Sequence, residues 1–332
     1  MNQDIARSES AGVEVQAGKT FLEKHRVAIG VEERYDFRLV QENFDVEPRA
    51  TYLDSRERGS FFSIYAQDEF RIAKNLILNG GIRYDHFSTF GGTLNPRAAL
   101  IYQPAEATTL KAVYGQAFRA PNAYENFYES SINKRNPRLS PETIRSYELI
   151  WEQQLGKHWR TSTSLVLDDI KGLIGYSQDP SDNLYYFDNL DSVRNKGAEV
   201  EVEGQWGNGF RGRASYSHAL TEELETGMRL SNSPAHLGKL SLSLPLWGDK
   251  LFASAELQAM SRRRTVRGDA VGGALVANAT LFSQNLVKGL EVSASVYNLF
   301  DERFRDPVAS DFTQDSIEQD GRTFRVKLTH RF

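Results

Sequence analysis

The amino-acid sequence predicts an all-β chain, an antiparallel transmembrane β-barrel, and three observations carry that prediction. Apolar and polar residues alternate with period two through most of the chain. The connections between the alternating runs are short and long in turn. All four tryptophans lie beside short connections. The composition agrees: 40% of the 332 residues are hydrophobic, yet no apolar run approaches the roughly 20 residues that a spanning helix needs. A formal charge of -4 gives no reason to expect a nucleic-acid partner. The absence of cysteine excludes disulfides, thiol nucleophiles and thiolate metal sites. The opening "MNQDIARSES" lacks the apolar region of a signal peptide, so the chain is expected to be either cytosolic or a piece of a longer precursor.

The alternation defines about fifteen strands, at residues 12–20, 25–40, 59–72, 76–88, 95–103, 108–119, 142–155, 159–176, 194–206, 210–221, 236–247, 251–265, 274–285, 290–299 and 322–332. In the second, Val27, Ile29, Val31, Tyr35 and Phe37 oppose Arg26, Glu32, Arg34 and Asp36. Further along, Val200, Val202 and Trp206 oppose Glu199, Glu201, Glu203 and Gln205, and Phe210, Ala214 and Tyr216 oppose Arg211, Arg213, Ser215 and Ser217. Leu240, Leu242, Leu244 and Leu246 form one row against Ser241 and Ser243. In the last strand Phe324, Val326, Leu328 and Phe332 share a parity broken only by His330, and Arg325 and Lys327 take the other. No helix is evident. Asp68 falls on the apolar parity of Phe62, Ile64 and Phe70, which a bulge or a lumen-side placement would explain. Asp168 and Asp169 are adjacent and must face opposite ways, near the outer rim where a charge is tolerated.

Short connections are expected at 21–25, 73–75, 103–108, 156–158, 207–209, 248–250 and 287–289. Long ones are expected at 41–59, 87–94, 120–141, 177–193, 221–235, 266–273 and 301–321. A soluble sandwich has no need to sort its turns this way. An outer-membrane barrel has short periplasmic turns and long external loops. Trp151 and Trp159 flank one short turn, and Trp206 and Trp247 precede two others. An indole with an apolar body and a polar N–H suits the girdle where lipid meets water. The alternative is a set of core tryptophans in a soluble sheet. In a membrane barrel the two parities mean lipid and lumen, and a cation on the lipid side near mid-membrane costs about 2–4 kcal/mol. The terminal Phe332 matches the C-terminal aromatic that bacterial outer-membrane proteins present to their assembly machinery. An odd strand count, with the final strand ending at the periplasm, starts the chain outside the cell. An intact barrel has an even count, so a beginning inside an external loop is expected; fourteen strands would remove that argument.

Residues 114–128, "YGQAFRAPNAYENFY", with 136–149, "NPRLSPETIRSYEL", resemble the middle-barrel signature of TonB-dependent outer-membrane receptors. "GGIRYDHFS" at 80–88, "NKGAEVEVEGQW" at 195–206 and "VYNLFDERFRDP" at 296–307 are similar to further strands of that family, with Phe304 in place of a usual Tyr. Together these motifs span about residues 60 to 332. The resemblance implies a barrel of about 22 strands around an N-terminal plug, in the bacterial outer membrane. It implies uptake of a scarce ligand such as a ferric siderophore or cobalamin, energised through the coupling protein TonB. On this reading residues 1–332 are the C-terminal portion of the barrel, without plug, coupling box or signal peptide, and TonB is reached only through the missing N-terminal region. The expected partners are outer-membrane lipid and lipopolysaccharide, the assembly machinery and a small-molecule ligand. The alternatives are a passive outer-membrane pore, a non-functional gene remnant, and a soluble all-β enzyme or lectin.

No catalytic constellation stands out, and neither a cofactor nor a metal site is expected. The histidines at 25, 86, 158, 218, 236 and 330 show no metal-ligand spacing. "DPSDN" at 179–183 lacks the acidic spacing of a calcium loop and reads as an Asx-rich turn. The long loops hold the ligand candidates: Tyr124, Tyr128 and Arg135, with Phe127 and Lys134 nearby; Tyr185 and Tyr186, followed by Phe187; and Arg263 among Arg262, Arg264 and Arg267. Aromatics with cations suit an anionic, catecholate-like chelate through charge-assisted hydrogen bonds and ring contacts. The alternative is loop self-packing, an aromatic belt or contact with lipopolysaccharide. Glu199, Glu201, Glu203, Arg211 and Arg213 are expected to form a charge ladder on the lumen wall.

Overall fold

The computed structural model describes every residue except Asp191, Ser310 and Asp311, which lie within two of the expected long connections, and the side chains of Asn285 and Leu286. The chain opens with β1 (Asn2–Phe21), β2 (His25–Asp45), β3 (Ala50–Ala73), β4 (Leu76–Phe87), β5 (Gly91–Ala105) and β6 (Thr108–Arg119). A short helix, α1 (Ala123–Phe127), precedes β7 (Glu142–Leu155) and β8 (Trp159–Lys171), and β9 (Ile174–Gln178) and β10 (Tyr185–Asn189) form a hairpin. Then follow β11 (Val193–Gln205), β12 (Arg211–Glu223), β13 (His236–Trp247), β14 (Leu251–Met260), the small pair β15 (Arg263–Arg264) and β16 (Ala270–Val271), and β17 (Ala274–Val287). The last elements are β18 (Leu290–Tyr297), the pair β19 (Arg305–Pro307) and β20 (Ser316–Glu318), and β21 (Thr323–His330). Fifteen strands pair in the order β1-β2-β3-β4-β5-β6-β7-β8-β11-β12-β13-β14-β17-β18-β21, and the three small pairs lie within connections. The chain is nearly all β, as its alternation predicts.

By the density of their packing, residues 1–102, 111–147 and 168–193 form one unit, and residues 103–110, 148–167 and 194–332 form another. In the first unit Val15, Val31, Ile64, Tyr84 and Leu94 stand opposite one another across five successive strands. All five are exposed. One residue away, Glu14, Glu32, Ser63, Asp85 and Thr93 make the neighbouring row on the other face. There Ser63 and Asp85 are only 0% and 2% exposed. Arg83 binds Asp85 at 2.7 Å and Glu32 at 2.8 Å, and Asn95 donates to Asp85 at 3.1 Å. A water-soluble sheet buries its oily row and wets its charges. Here the charges are packed and the oily row is bare, which is stable only if lipid covers it.

The second unit repeats the arrangement. Leu244, Ala253, Leu281, Ala294 and Val326 form one apolar row, and Ser243, Ser254, Thr280, Ser295 and Arg325 form the adjacent polar one. The parity expected of the last strand therefore holds in register with four neighbours. On the polar face Arg213 reaches Glu201 at 2.5 Å, and Arg160 lies 3.3 Å from Glu152 and 3.5 Å from Glu203. Of the expected ladder, Arg213 pairs with Glu201, Glu203 is met by Arg160, and Arg211 stands opposite Ser243.

Several expectations change. Strands β1, β2, β3 and β5 run past the expected ends, so the long connection at 41–59 shrinks to 46–49, and that at 87–94 to 88–90. Beyond hydrocarbon the ladder continues but nothing demands an apolar face, so the period-two signal fades. The run read as one strand at 159–176 breaks at Gly172, whose φ of +66° turns the chain out of the wall. Asp68 has neither a bulge nor a lumen-side placement, since the β2–β3 register is unbroken from His25 to Asp36. It stays on the apolar parity near a short turn, 2.7 Å from His25, which stacks on Phe70. The helix α1 contradicts the expectation of none. Asn122 caps it, accepting from the Glu125 amide at 2.9 Å, and Glu125 accepts from the Asn122 amide at 2.8 Å.

Candidate functional site

The connections 120–141 and 172–190, both in the first unit, are built around one arginine. Arg119, at the end of β6, binds Glu142 through two nitrogens at 2.6 and 2.7 Å and Glu125 of α1 at 2.9 Å. Glu142 also accepts from the Ile174 amide at 2.8 Å. One guanidinium thus ties together a strand end, the capped helix, the start of β7 and the β9–β10 hairpin. A forked cation matched to two carboxylates is well suited to this, because each hydrogen bond is charge-assisted and its direction is fixed.

The loop backbones interlock next. Lys134 donates its amide to the Tyr185 carbonyl and Tyr185 donates to that of Ile132, both at 2.8 Å. Asn136 donates its side chain to the Phe187 carbonyl at 2.9 Å, and the Tyr176 hydroxyl donates to Asn133 at 2.6 Å. On this frame the rings assemble. Tyr124 lies 4.4 Å from Tyr128 and 5.7 Å from Phe187, and Tyr176 lies 4.6 Å from Phe187 and 5.8 Å from Tyr185. Tyr124, Tyr176 and Tyr185 keep 46%, 43% and 39% of their surface exposed, so the cluster has open faces. Partial burial pushes the phenols of Tyr124 and Tyr176 up, which keeps them neutral hydrogen-bond donors.

Of the expected ligand residues, the structure brings Tyr124, Tyr128 and Tyr185 into this cluster. Tyr186 is the next residue along β10, and Lys134 sits 5.2 Å from its ring. Arg135 lies over Phe127 at 5.3 Å and binds Glu57 at 3.0 Å. Lys134 pairs with Asp179 and, at 2.9 Å, with Asp182. The hydrogen bond from Lys134 holds Asp179 well below the usual carboxylate range, and the same pair raises Lys134. Asp182 is lowered mainly by the Leu184 amide, the expected Asx turn. Both cations are already matched by acids, so the cluster offers rings rather than free charge. Tyr176 was missed because its segment read as wall; its partner signal was the alternation that resumes after Gly172.

Arg263 lies in the second unit and is 6% exposed. It binds Asp306 at 2.5 Å, Asn232 at 3.1 Å and the Arg305 carbonyl at 2.9 Å. This is the position of a brace between connections, and it corrects the expectation of an open ligand contact. The exposed members of the run are Arg262 and Arg267. Trp159 meets Trp206 edge-on at 4.9 Å, Phe210 lies 4.7 Å from Trp206, and Lys250 sits 5.4 Å from the ring of Trp247. Trp151 and Trp159 are each 45% exposed and Trp247 62%. Phe332 is fully exposed. Among the described residues no group of three metal-ligating His, Cys, Asp or Glu side chains occurs.

A sheet with a bare apolar face, a polar face carrying its charges, and long connections holding the chemistry defines a protein of the outer-membrane β-barrel class. Residues 8–299 match the family model described as TonB dependent receptor-like, beta-barrel, and the chain belongs to that family. It resides in the bacterial outer membrane. The chain is 23% identical over 340 residues to the iron-regulated outer membrane virulence protein of Vibrio cholerae, covering 93% of this chain and 49% of that protein. It is 23% identical over 323 residues to the ferric enterobactin receptor of Pseudomonas aeruginosa, covering 84% and 43%. The chain therefore spans about half the length of the curated relatives it matches. A solved structure of the Pseudomonas aeruginosa ferric enterobactin receptor PfeA with enterobactin superposes with a TM-score of 0.79 at 22% identity, covering 98% of this chain and 54% of the other. The siderophore receptor PirA of Acinetobacter baumannii gives 0.78 at 17% identity, covering 99% and 55%. At these identities the likeness speaks for the fold.

Proposed function

We propose that this chain forms barrel wall and external loops of a receptor that takes up a scarce, iron-bearing ligand across the outer membrane, driven through TonB in the whole receptor. The observation that carries the reading is the ring cluster of Tyr124, Tyr128, Tyr176, Tyr185 and Phe187, held open by the Arg119 brace. Its cations are already paired, so recognition falls to stacking and phenol hydrogen bonds more than to net charge. A ligand with flat π faces fits that chemistry, and both a catecholate chelate and a porphyrin have them. Relatives named as a ferric enterobactin receptor and as a heme/hemopexin utilization protein support this class. Trp151, Trp159, Trp206 and Trp247 serve as the interfacial girdle, with their indoles at the lipid headgroups and lipopolysaccharide. Phe332 is read by the assembly machinery, and the chain performs no catalysis. The test is equilibrium binding of ferric enterobactin and of hemin to the full chain in detergent. Saturable binding of either, weakened about tenfold by Tyr124→Ala, is expected. Binding of both that is indifferent to Tyr124, Tyr176 and Tyr185 together would overturn the reading.

A further inference from the structure

Histidines 218 and 236 are 18 residues apart in the chain, yet they stand directly opposite each other on β12 and β13. Their rings lie 4.6 Å apart at 31°, with Nδ1 3.3 Å from Nδ1. The Tyr216 hydroxyl is 2.7 Å from His236 Nδ1, and the Ala235 carbonyl is 3.0 Å from His218 Nδ1. Two nitrogens and two oxygens are thus gathered with neighbour distances of 2.7 to 3.3 Å.

Those three distances match edges of a small coordination polyhedron. Metal–nitrogen bonds of about 2.0–2.1 Å at a tetrahedral angle put two nitrogens about 3.3 Å apart, and right-angled coordination puts donors about 2.9 Å apart. We propose that His218, His236 and Tyr216, with the Ala235 carbonyl, form a binding site for a divalent transition-metal ion of the copper or zinc class. Imidazole is a preferred ligand of both, and Cu²⁺ is the stronger binder in the general order of affinities. The Ala235 carbonyl can only accept, so the metal-free His218 carries its proton on Nδ1. On binding, that proton moves to Nε2 and both rings meet the ion as neutral imidazoles. His218 and Tyr216 share the apolar parity of Ala214, which stands opposite Leu240. His236 lies eleven residues before Trp247, which is about 28 Å of rise for a strand tilted by about 40°. An apolar band is about 25 Å tall, so the site sits at the outer rim. His236 is exposed there, open to ions from outside. It is separate from the ring cluster and does not depend on the uptake reading.

The test uses the full, untagged chain in detergent, titrated with Cu²⁺ and separately with Zn²⁺, followed by calorimetry and by electron paramagnetic resonance of the Cu²⁺ form. One equivalent of Cu²⁺ with couplings from two imidazole nitrogens is expected, displaced by excess Zn²⁺. His218→Ala and His236→Ala should each weaken Cu²⁺ at least about thirtyfold, Tyr216→Phe only a few-fold, and His25→Ala not at all. If the alanine variants do not fold, the nitrogen count of the unaltered protein decides. A spectrum with fewer than two imidazole nitrogens, or undiminished binding by a folded His236→Ala, overturns the proposal.

Discussion

In the first unit one arginine, Arg119, braces the connections 120–141 and 172–190, which carry aromatic rings with open faces. In the second unit the connections that carry Arg263 and Asp306 use an arginine to close themselves, and the guanidinium is buried. Both are long, polar loops rich in Arg and acids. The difference lies in the arginine's setting: in one case it braces loops that carry open rings, in the other it is itself buried among its partners. Loop composition therefore does not separate a binding surface from a brace; the partner of each cation does. In this chain Arg119, Lys134, Arg135 and Arg263 all have acidic partners, and the open chemistry is aromatic.

The largest effect should come from Arg263→Ala. It leaves Asp306, Asn232 and a carbonyl without their shared donor, and Asp306 is a third exposed, so a loss of about 2–3 kcal/mol is expected. Urea unfolding in detergent would measure it, with ligand binding unchanged below the transition. Equal losses of stability and ligand affinity would erase the contrast between the two regions. Arg119→Leu comes next. Its pairs are solvent-screened, so about 1–2 kcal/mol of loop stability is expected. Here ligand affinity should fall in step, because the rings depend on that frame; proteolysis within 120–141 should speed up as affinity drops. Smaller still, Tyr185→Ala should cost about 1 kcal/mol of ligand binding and leave unfolding unchanged, since the ring is partly exposed.

The smallest expected effect is one of acidity on the Lys134 clamp. Asp179 and Asp182 are lowered from 3.8, so their contribution is present above that value and is lost only as pH falls through their lower folded values. Lys134 is raised from 10.5, so its contribution is present below that value and is lost as pH rises past its higher folded one. A spin label at Ser181 should keep the same mobility from pH 4 to pH 10. Loosening near pH 5 would show that the clamp is not what holds the hairpin tip.

Much of the wall was legible because hydrocarbon enforces alternation. Rows such as Val15–Val31–Ile64–Tyr84–Leu94 need each strand to present an apolar residue at the same height. Where strands leave the membrane that pressure ends, and "ATYLDSRERG" reads as loop although it is ladder. The helix α1 carried a signal in Asn122 and Glu125, a capping box, but five residues give no periodicity to notice. The family-like motifs turn out to be braces. Arg83 and Asp85 pin the polar face. Asn298, at φ +52°, organises the turn after β18 by accepting from the Glu302 amide at 2.8 Å and donating to its carbonyl at 2.9 Å. The tyrosines of the ring cluster were visible as residues, but their meeting depends on pairing between two connections some fifty residues apart. The His218–His236 contact was hidden for the same reason: cross-strand register brings them together, and no local spacing records it.

Which face of the sheet meets lipid can be measured directly. Nitroxides placed in turn at Ser63, Ile64 and Tyr65 of β3, and at Arg325, Val326 and Lys327 of β21, would be read by power saturation in bilayers. Oxygen should relax the labels at Ile64 and Val326 strongly, and a water-soluble nickel complex should relax their neighbours. Equal access at adjacent positions, or the reverse order, would contradict the placement of the apolar row against lipid.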